Sequence, residues 1–314
     1  MKQFFNKLLI KIELIMNQSK GIFWMLAHCF LISIAVALAK LLGQKGFGVM
    51  QIVFFHSFVS FLMLLPVGLL KEGKSLAKTN YFHLHFWRAS LGAASLYLYF
   101  FSLKFVPLTD ARAIALFGPV LTFIFAVIFV KEKLDFRKTA ALILSLMGGY
   151  IIINPSGVSF NAMSLLILLA MVAWSIIDLI IKKISKSESG LKQLFFLTGL
   201  MSIFSIFFAL ADWKNPESVE DVSLLLLIGA VFFFNSLAIF YAIKNADLTT
   251  IMPFDFSGMI FTAILSYFLF SELIKMNTLI GSIIVFISSL YLVYHEGKAA
   301  KNLAKIGEAN AQKE

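Results

Sequence analysis

Two ionisable side chains stand deep inside long apolar stretches of this sequence. Asp255 lies eight residues into the stretch 247–270, between Phe254 and Phe256, and His56 lies at a similar depth in an earlier stretch. An ionisable group inside a bilayer is costly, so its usual role is to bind an ion, a proton or a substrate. We expect Asp255 either to bind substrate or a proton, or to pair with another helix. Histidine titrates near neutral pH, so His56 could relay protons or hydrogen-bond a neighbouring helix.

Other side chains in apolar stretches could contact a small polar substrate. Trp174 could stack on a flat ring or hold a cationic centre on its ring face, and Asn235 falls in the middle of its stretch. Arg112 and Asp110 stand in the first turn of the stretch 109–131. One interpretation places both at the membrane interface, where long cationic side chains extend towards the headgroups. The other makes them an entrance that orients a zwitterion.

Three further ionisable residues fit structural roles. Asp178 precedes Lys182 by four residues, which is the spacing of an ion pair on one face of a helix. Arg88 stands at the start of an apolar stretch, where basic residues commonly anchor to headgroups. His28 has apolar surroundings and fits packing. We therefore predict an ion pair for Asp178, a lipid anchor for Arg88 and packing for His28.

The composition places the chain in the membrane class. Of 314 residues, 60% are hydrophobic and 14% are charged, whereas soluble globular proteins are roughly half apolar and a quarter charged. The net charge of +10 does not indicate nucleic acid, because the basic residues lie between apolar stretches and at the tails. We expect a lipid bilayer and a small molecule as partners, and the oligomeric state stays open.

The sequence offers little for a metal site or an enzyme active site. Cys29 is the single cysteine and cannot form an intramolecular disulfide. No pair of the five histidines has a helical metal-ligand spacing that faces a carboxylate. We predict no cofactor, no metal and no catalytic residue. An intramembrane lipid-modifying enzyme or a lipid-carrier flippase is the alternative from another functional class.

Ten apolar stretches of roughly 18 to 24 residues are long enough to cross a bilayer as helices. We divide the chain into an N-terminal segment, residues 1–20, a first half, 21–154, a second half, 160–295, and a polar tail, 296–314. The first helix is retained, because its apolar stretch is too long for a signal peptide. The predicted spans are 21–43, 48–70, 85–105, 109–131 and 136–154, then 160–182, 191–211, 222–243, 247–270 and 274–295.

The basic residues predict the orientation of these spans. With the N-terminus inside, 21 of the 27 lysines and arginines fall on the cytoplasmic side. Lysine and arginine concentrate in cytoplasmic loops of membrane proteins. We therefore predict that both termini are cytoplasmic.

The two halves resemble each other at a separation of 140 residues. The matching pairs are Lys104 and Lys244, Leu108 and Leu248, Thr109 and Thr249, Gly118 and Gly258, Thr122 and Thr262, Ile124 and Ile264, Glu132 and Glu272, and Ile143 and Ile283. Five spans in each half give the second half the opposite orientation. Inverted repeats with the substrate site between them are typical of secondary transporters.

Three residues of these halves fit movement rather than binding. Glu132 and Glu272 end equivalent stretches on opposite sides of the membrane, which favours closure contacts between the halves. Pro119 removes a backbone hydrogen bond in mid-span and predicts a helix kink. Met259 stands where a second proline would be needed, so we expect this kink in the first half only.

Several motifs resemble the EamA-type members of the drug/metabolite transporter superfamily. The third span of that family is resembled by residues 88–92, Arg-Ala-Ser-Leu-Gly, followed by Tyr97 and Tyr99. Residues 117–120, Phe-Gly-Pro-Val, followed by Glu-Lys-Leu at 132–134, resemble its fourth span. The resemblance implies an all-α integral membrane fold of ten transmembrane helices, arranged as two inverted five-helix repeats.

A narrower likeness concerns residues 178–183, which follow Trp174, and residues 54–58. Both segments are similar to the S-adenosylmethionine uptake branch of this family, although many relatives have an arginine in place of His56. The likeness implies a secondary transporter of the bacterial inner membrane that works by alternating access and takes up S-adenosylmethionine. Export of an amino acid or another metabolite is the alternative within the family, and proton coupling stays open.

Overall fold

The computed structural model describes residues 2–106, 108–115, 117–132, 136–153 and 162–270, with short pieces between 276 and 291. Side chains are described from residue 18 onward, apart from those at 108–110, 113, 152–153 and 162. All regular elements in these described residues are helical, as the apolar composition predicts. Helices satisfy their own backbone hydrogen bonds, which a bilayer core requires of any spanning segment.

The helices follow one another in a simple order. They are α1 (Lys2–Gln44), α2 (Val49–Glu72), α3 (Phe82–Ser102), α4 (Leu108–Ala115), α5 (Phe117–Phe125), α6 (Phe136–Ile153), α7 (Ala162–Ile184), α8 (Gly190–Ala209), α9 (Val219–Asn245), α10 (Leu248–Asp255) and α11 (Gly258–Phe270). A single π-helical turn, Ala126–Val130, extends α5. Short 3-10 turns follow α2 at Gly73–Ala77 and α8 at Leu210–Asp212.

Local sequence signals explain where several of these helices begin and end. Gly73 follows α2 with a φ of 53°, a left-handed value that glycine adopts without steric cost. Ser189 and Ser218 precede α8 and α9, and their hydroxyls accept hydrogen bonds from the amides of Lys192 and Asp221. Such N-caps satisfy amides that have no partner within the helix.

Six helical stretches are long and apolar enough to cross a membrane by length and composition. They are Gln18–Gln44, Val49–Ala77, Met163–Ile184, Gly190–Asp212, Val219–Asn245 and Leu248–Phe270, and a shorter apolar helix covers Phe117–Val130. The chain is therefore a helical, multi-pass membrane protein, while the number of ten spans stays a prediction. Most of the tenth predicted span, 274–295, lies outside the described residues.

The span that contains Asp255 is interrupted at Phe256 and Ser257, where α10 ends and α11 begins. Pro253 lies inside α10 and has no amide hydrogen to donate. The amides of Ser257, Met259 and Ile260 each bond to the carbonyl three residues earlier instead of four. The expectation of an interruption in the first half alone is therefore wrong. In the first half, α4 and α5 meet at residue 116, which is outside the described residues.

The two halves pack crosswise, each first helix lying against the other half. Helix α1 contacts α9, α10 and α11, whereas α7 contacts α3, α4 and α5. The hydroxyl of Ser33 in α1 donates to the carbonyl of Gly258, with an oxygen–oxygen distance of 3.1 Å. Ser175 in α7 donates in the same way to the carbonyl of Gly118, at 3.2 Å. The two glycines are one of the repeated pairs, so the same contact occurs twice with the halves exchanged.

Candidate functional site

A cavity of about 160 Å³ lies where the two halves meet, bordered by α1 to α5 and α7 to α10. Its wall carries a high density of titratable side chains for the interior of a membrane protein. They are His28, His56, Arg88, Tyr99, Arg112, Asp178 and Asp255. Ionisable groups inside membrane bundles commonly mark substrate or ion pathways, so this cavity is the candidate functional site.

Helical periodicity brings these residues to the wall. Helix α3 contributes Arg88, Gly92, Leu96 and Tyr99, which are spaced by four, four and three residues and therefore share one helix face. Helix α1 contributes Met25, His28, Ile32 and Val36, and helix α9 contributes Phe232, Asn235, Ser236 and Ile239. The sequence thus directs one polar-containing face of each helix towards the same space.

Arg112 and Asp255 join the two halves across the cavity. The Nη2 atom of Arg112 lies 3.6 Å from Oδ1 of Asp255 and 3.3 Å from the backbone carbonyl oxygen of the same residue. That carbonyl stands at the end of α10, and the thiol of Cys29 also contacts it, at 3.9 Å. Gly258 admits the guanidinium, since a Cβ atom at that position would overlap Arg112. Of the two interpretations of Arg112, the structure places it in the cavity, and the side chain of Asp110 lies outside the described residues.

Asp178 accepts a hydrogen bond from the hydroxyl of Thr122, at 3.1 Å from Oγ1 to Oδ2. Thr122 belongs to α5 of the first half and Asp178 to α7 of the second. The ammonium group of Lys182 instead contacts the carbonyls of Ile243 and Ala246 and lies 3.9 Å from Glu132. The predicted ion pair between Asp178 and Lys182 is therefore wrong, because the two side chains point to different neighbours.

Arg88 is buried in the cavity wall, with only 2% of its surface exposed. Its Nη1 atom lies 3.2 Å from the side-chain oxygen of Gln193 and 3.4 Å from the backbone carbonyl of the same residue. The predicted headgroup anchor is wrong, because α3 begins at Phe82 and places Arg88 almost two turns inside the bundle. The apolar stretch was predicted to begin at residue 85, three residues after the observed start of α3. The sequence therefore did not show how deep Arg88 lies.

The neutral part of the wall is aromatic and polar. Trp174 and Tyr99 have ring centroids 5.7 Å apart in a T-shaped arrangement. The ring of His56 stacks on Phe232 at 3.7 Å, and its Nδ1 atom finds no hydrogen-bond partner among the described residues. Asn235 also lines the cavity and is buried. His28 lines the cavity as well, and its packing role stays a prediction.

Glu132 caps the first turn of α10. Its carboxylate accepts hydrogen bonds from the amides of Leu248 and Thr249, at 3.0 and 2.9 Å, and from the Thr249 hydroxyl, at 2.9 Å. A negative charge at a helix N-terminus is favourable because the amides and the helix dipole point towards it. The partner in the repeat, Glu272, lies outside the described residues. Pro119 lines the cavity from the first turn of α5.

Polar contacts between the halves also occur at helix ends on the side predicted to be extracytoplasmic. Lys45 follows α1 and lies 3.0 Å from Asp221 and 3.1 Å from Glu220, both in the first turn of α9. Hydrogen bonds to Asp221 and then to Glu220 raise the pKa of Lys45. Gln51 of α2 exchanges two hydrogen bonds with the backbone of Lys214.

A matching set of contacts occurs at helix ends on the side predicted to be cytoplasmic. Glu188 follows α7, and its carboxylate lies 2.7 Å from Nε2 of His85 and 2.5 Å from the hydroxyl of Thr79. Asp247 accepts from Gln18 at 3.0 Å and lies 3.4 Å from Lys138. The halves are thus joined by breakable polar contacts on both predicted sides of the cavity.

Nothing in the described residues provides a metal centre. No three His, Cys, Asp or Glu side chains within that part of the chain come close enough to hold a metal ion. Cys29 is fully buried, and its thiol contacts the backbone carbonyl of Phe254 at 3.5 Å. The arrangement is therefore suited to binding a molecule through charge, hydrogen bonds and aromatic faces.

The EamA-like transporter family model matches this sequence twice, over residues 19–154 and 161–294. The S-adenosylmethionine uptake transporter of Rickettsia bellii is 29% identical over 284 residues, covering 90% of this chain and 96% of the relative. The riboflavin transporter of Vibrio cholerae is 23% identical, covering 90% of this chain and 95% of the relative. A solved crystal structure superimposes with a TM-score of 0.72 at 12% identity, covering 90% of this chain and 98% of that chain, which supports a shared fold.

Proposed function

The chain belongs to the EamA-like transporter family, and on that basis we propose that it is a secondary transporter that takes up S-adenosylmethionine across the bacterial inner membrane. One observation carries the proposal: the cavity between the halves combines carboxylates, arginines and aromatic rings in a single wall. A relative in Rickettsia bellii that is named as an S-adenosylmethionine uptake transporter supports the same substrate.

The chemistry of the wall suits this substrate group by group. S-adenosylmethionine carries a sulfonium cation, an ammonium group, a carboxylate and a flat adenine ring. Trp174 offers a ring face for the sulfonium or the adenine, and Asp178 and Asp255 offer negative charge. Asn235 and His56 add neutral hydrogen-bonding groups. The wall therefore offers negative charge for the cationic groups and a ring face for the adenine.

The size of the cavity supports transport by alternating access. At about 160 Å³ it is smaller than the roughly 300–1,000 Å³ of typical small-molecule sites. A substrate as large as S-adenosylmethionine therefore requires the two halves to move apart on one side of the cavity. Residues 21–154 and 160–295 are the two moving units in this proposal, each with five spans and with inverted orientation.

The contacts of Glu132 suggest how one side closes. With both termini cytoplasmic, Glu132 and the start of α10 both lie on the cytoplasmic side. Opening of that side would release the α10 amides from this carboxylate. By the repeat, Glu272 would then occupy the equivalent place at Leu108 and Thr109 on the opposite side. In each state, one glutamate would cap a helix on the closed side, and the cavity would be open on the opposite side.

Asp255 is the group that we propose for proton coupling. Its charge is balanced by Arg112 in the state described above. Protonation of Asp255 would remove the attraction between the halves at this point and release the guanidinium. Binding of a proton to Asp255 would in this way be coupled to movement of the two halves.

Uptake of radiolabelled S-adenosylmethionine into bacterial cells that express the chain tests the substrate. Unlabelled S-adenosylmethionine, methionine and riboflavin serve as competitors, and cells with an empty vector give the background. Saturable uptake that only close analogues inhibit is the expected result. Background uptake by a chain that is confirmed to be in the membrane would refute the substrate, and inhibition by riboflavin would favour a flat ring as the recognised feature.

The orientation has a test of its own. A phosphatase or fluorescent reporter fused after Glu314 is expected to report a cytoplasmic C-terminus. A reporter on the outer side would refute the ten-span arrangement with both termini inside.

A further inference from the structure

The two arginines of the cavity wall differ in what balances their charge. Arg112 is paired with Asp255 at 3.6 Å. Arg88 has no carboxylate within ion-pair distance among the residues that the structure describes, although it is more deeply buried, at 2% exposure. Gln193 supplies neutral oxygens alone, and the Nε atom of Arg88 is buried without a hydrogen-bond partner in the same part of the chain.

A buried guanidinium with such surroundings is energetically unfavourable. Arginine keeps its proton at physiological pH, and burying a charge is costly unless an opposite charge and hydrogen bonds compensate for it. Asp178 is a charged group of the same wall, but its Oδ2 atom accepts from Thr122 and it is not within ion-pair distance of Arg88. Asp178 attracts Arg88 only from beyond ion-pair distance, so a counter-charge in direct contact with the guanidinium must come from a molecule in the cavity.

We propose that Arg88 binds the carboxylate of the transported molecule, so that the substrate class is a zwitterion whose cationic end faces Asp178. This inference rests on the proposed function, since it assigns a group of the substrate to a residue of the same cavity. A guanidinium forms two parallel hydrogen bonds with a carboxylate. Nε, which lacks a partner, and Nη are the donors of that fork.

The arrangement gives selectivity as well as affinity. Arg88 in the first half and Asp178 in the second present opposite charges to one cavity, which matches the carboxylate and ammonium of an α-amino acid moiety. A molecule that lacks the carboxylate would leave Arg88 buried without a counter-charge. Losing one partner of a buried charge pair typically lowers affinity at least about 30-fold, which is about 2 kcal/mol.

Matched pairs of ligands test this assignment on the purified full-length chain. S-adenosylmethionine is compared with its decarboxylated analogue, and methionine and glutamate are each compared with the corresponding α-amide. Binding is measured by calorimetry and by the shift in Tm. We expect the wild-type chain to bind a carboxylate member at least about 30-fold more tightly than its partner.

Variants at Arg88 separate recognition from structure. Arg88→Gln is expected to bind both members of the pair with the same weak affinity, without lowering the Tm of the ligand-free chain, because an uncompensated charge has been removed. Arg88→Lys keeps the charge without the fork and is expected to retain part of the preference. Arg137→Gln, an exposed site in the first turn of α6, is the matched control and should bind like the wild type.

The possible outcomes are distinct. A preference for the carboxylate that persists in Arg88→Gln overturns the assignment of Arg88 and leaves the proposed function standing. Failure of S-adenosylmethionine to bind, with Arg88-dependent binding of another carboxylate, refutes the proposed substrate and supports the assignment. A variant Arg88→Gln that melts far below the wild type, or a wild type that prefers no carboxylate, overturns the assignment.

Discussion

Arg112 of the first half and Asp255 of the second form an ion pair at the point where a membrane helix is interrupted. The guanidinium lies 3.6 Å from the carboxylate and also donates to the backbone carbonyl at the end of α10. Arg112 thus balances the charge of the Asp255 carboxylate and donates a hydrogen bond to the backbone carbonyl where α10 ends. The pair is therefore the most informative place to perturb the contact between the halves.

Replacing Asp255 with Asn should separate coupling from exchange. The substitution leaves Arg112 without its counter-charge, and breaking a buried ion pair costs about 3–5 kcal/mol. Because these side chains are 12% and 15% exposed, we expect a lower Tm in detergent and a loss near the lower end of that range in the free energy of unfolding. In proteoliposomes, gradient-driven accumulation should be lost while exchange of labelled for unlabelled substrate continues. The double variant Arg112→Gln with Asp255→Asn should recover part of the Tm. Accumulation that survives in Asp255→Asn would rule out this carboxylate as the proton site.

Adding a methyl group at Gly258 should break the same ion pair from the other side. A Cβ atom there overlaps the Arg112 guanidinium, so Gly258→Ala must displace it. The repeat supplies a matched comparison, since a Cβ atom at Gly118 would contact the side chain of Met171, with the sulfur nearest at 3.2 Å. We expect transport to fall at least about tenfold in Gly258→Ala, a loss of about 1.4 kcal/mol, and to change little in Gly118→Ala. Equal effects of both alanines would contradict a specific role of Arg112.

Removing the carboxylate of Glu132 should weaken one closed state. Its loss uncaps the Leu248 and Thr249 amides, and caps of this kind contribute about 0.5–2 kcal/mol. We expect Glu132→Ala to lower the Tm and to change the maximal transport rate more than the KM, because the residue lies outside the cavity wall. Glu217→Ala removes a glutamate carboxylate that is 75% exposed and far from this cap, and is the control. A variant Glu132→Ala with an altered KM alone would argue for substrate contact instead of closure.

Trp174 should affect affinity more than rate. If its ring holds the sulfonium cation, Trp174→Ala should weaken binding of S-adenosylmethionine by about 0.5–2 kcal/mol, and Trp174→Phe should weaken it less. Trp87→Ala removes a tryptophan from an exposed site in α3, where 58% of the residue is accessible, and should bind normally. Unchanged affinity in Trp174→Ala would remove this ring from the site.

The sequence was informative wherever a charge lay in the middle of an apolar stretch. Asp255 and His56 were singled out for their depth, and they line one cavity with Asn235, Trp174 and Arg112. The apolar composition predicted helices throughout, and the described residues are helical. The family resemblance rested on short motifs in two predicted spans, and the match of the family model over both halves confirms it.

Arg88 and Asp178 were misjudged because the start of a helix cannot be read from hydropathy alone. The apolar stretch was predicted to begin at residue 85, whereas α3 begins at Phe82. Arg88 was therefore expected close to the end of the helix. The helical spacing of Arg88, Gly92, Leu96 and Tyr99 was a signal that could have revealed the shared face. Asp178 was assigned to Lys182 from spacing within one helix, which carries no information about Thr122 in another.

The hydrogen bonds that cross between the halves have a consequence for how this chain can be assembled. Asp178 depends on Thr122, the amide of Thr249 depends on Glu132, and Ser33 depends on Gly258. Several buried polar groups of each half therefore have a partner in the other half, so the two halves relate to each other like subunits of a heterodimer. Two fragments divided between residues 154 and 160 should restore activity when they are co-produced, and either fragment alone should be degraded.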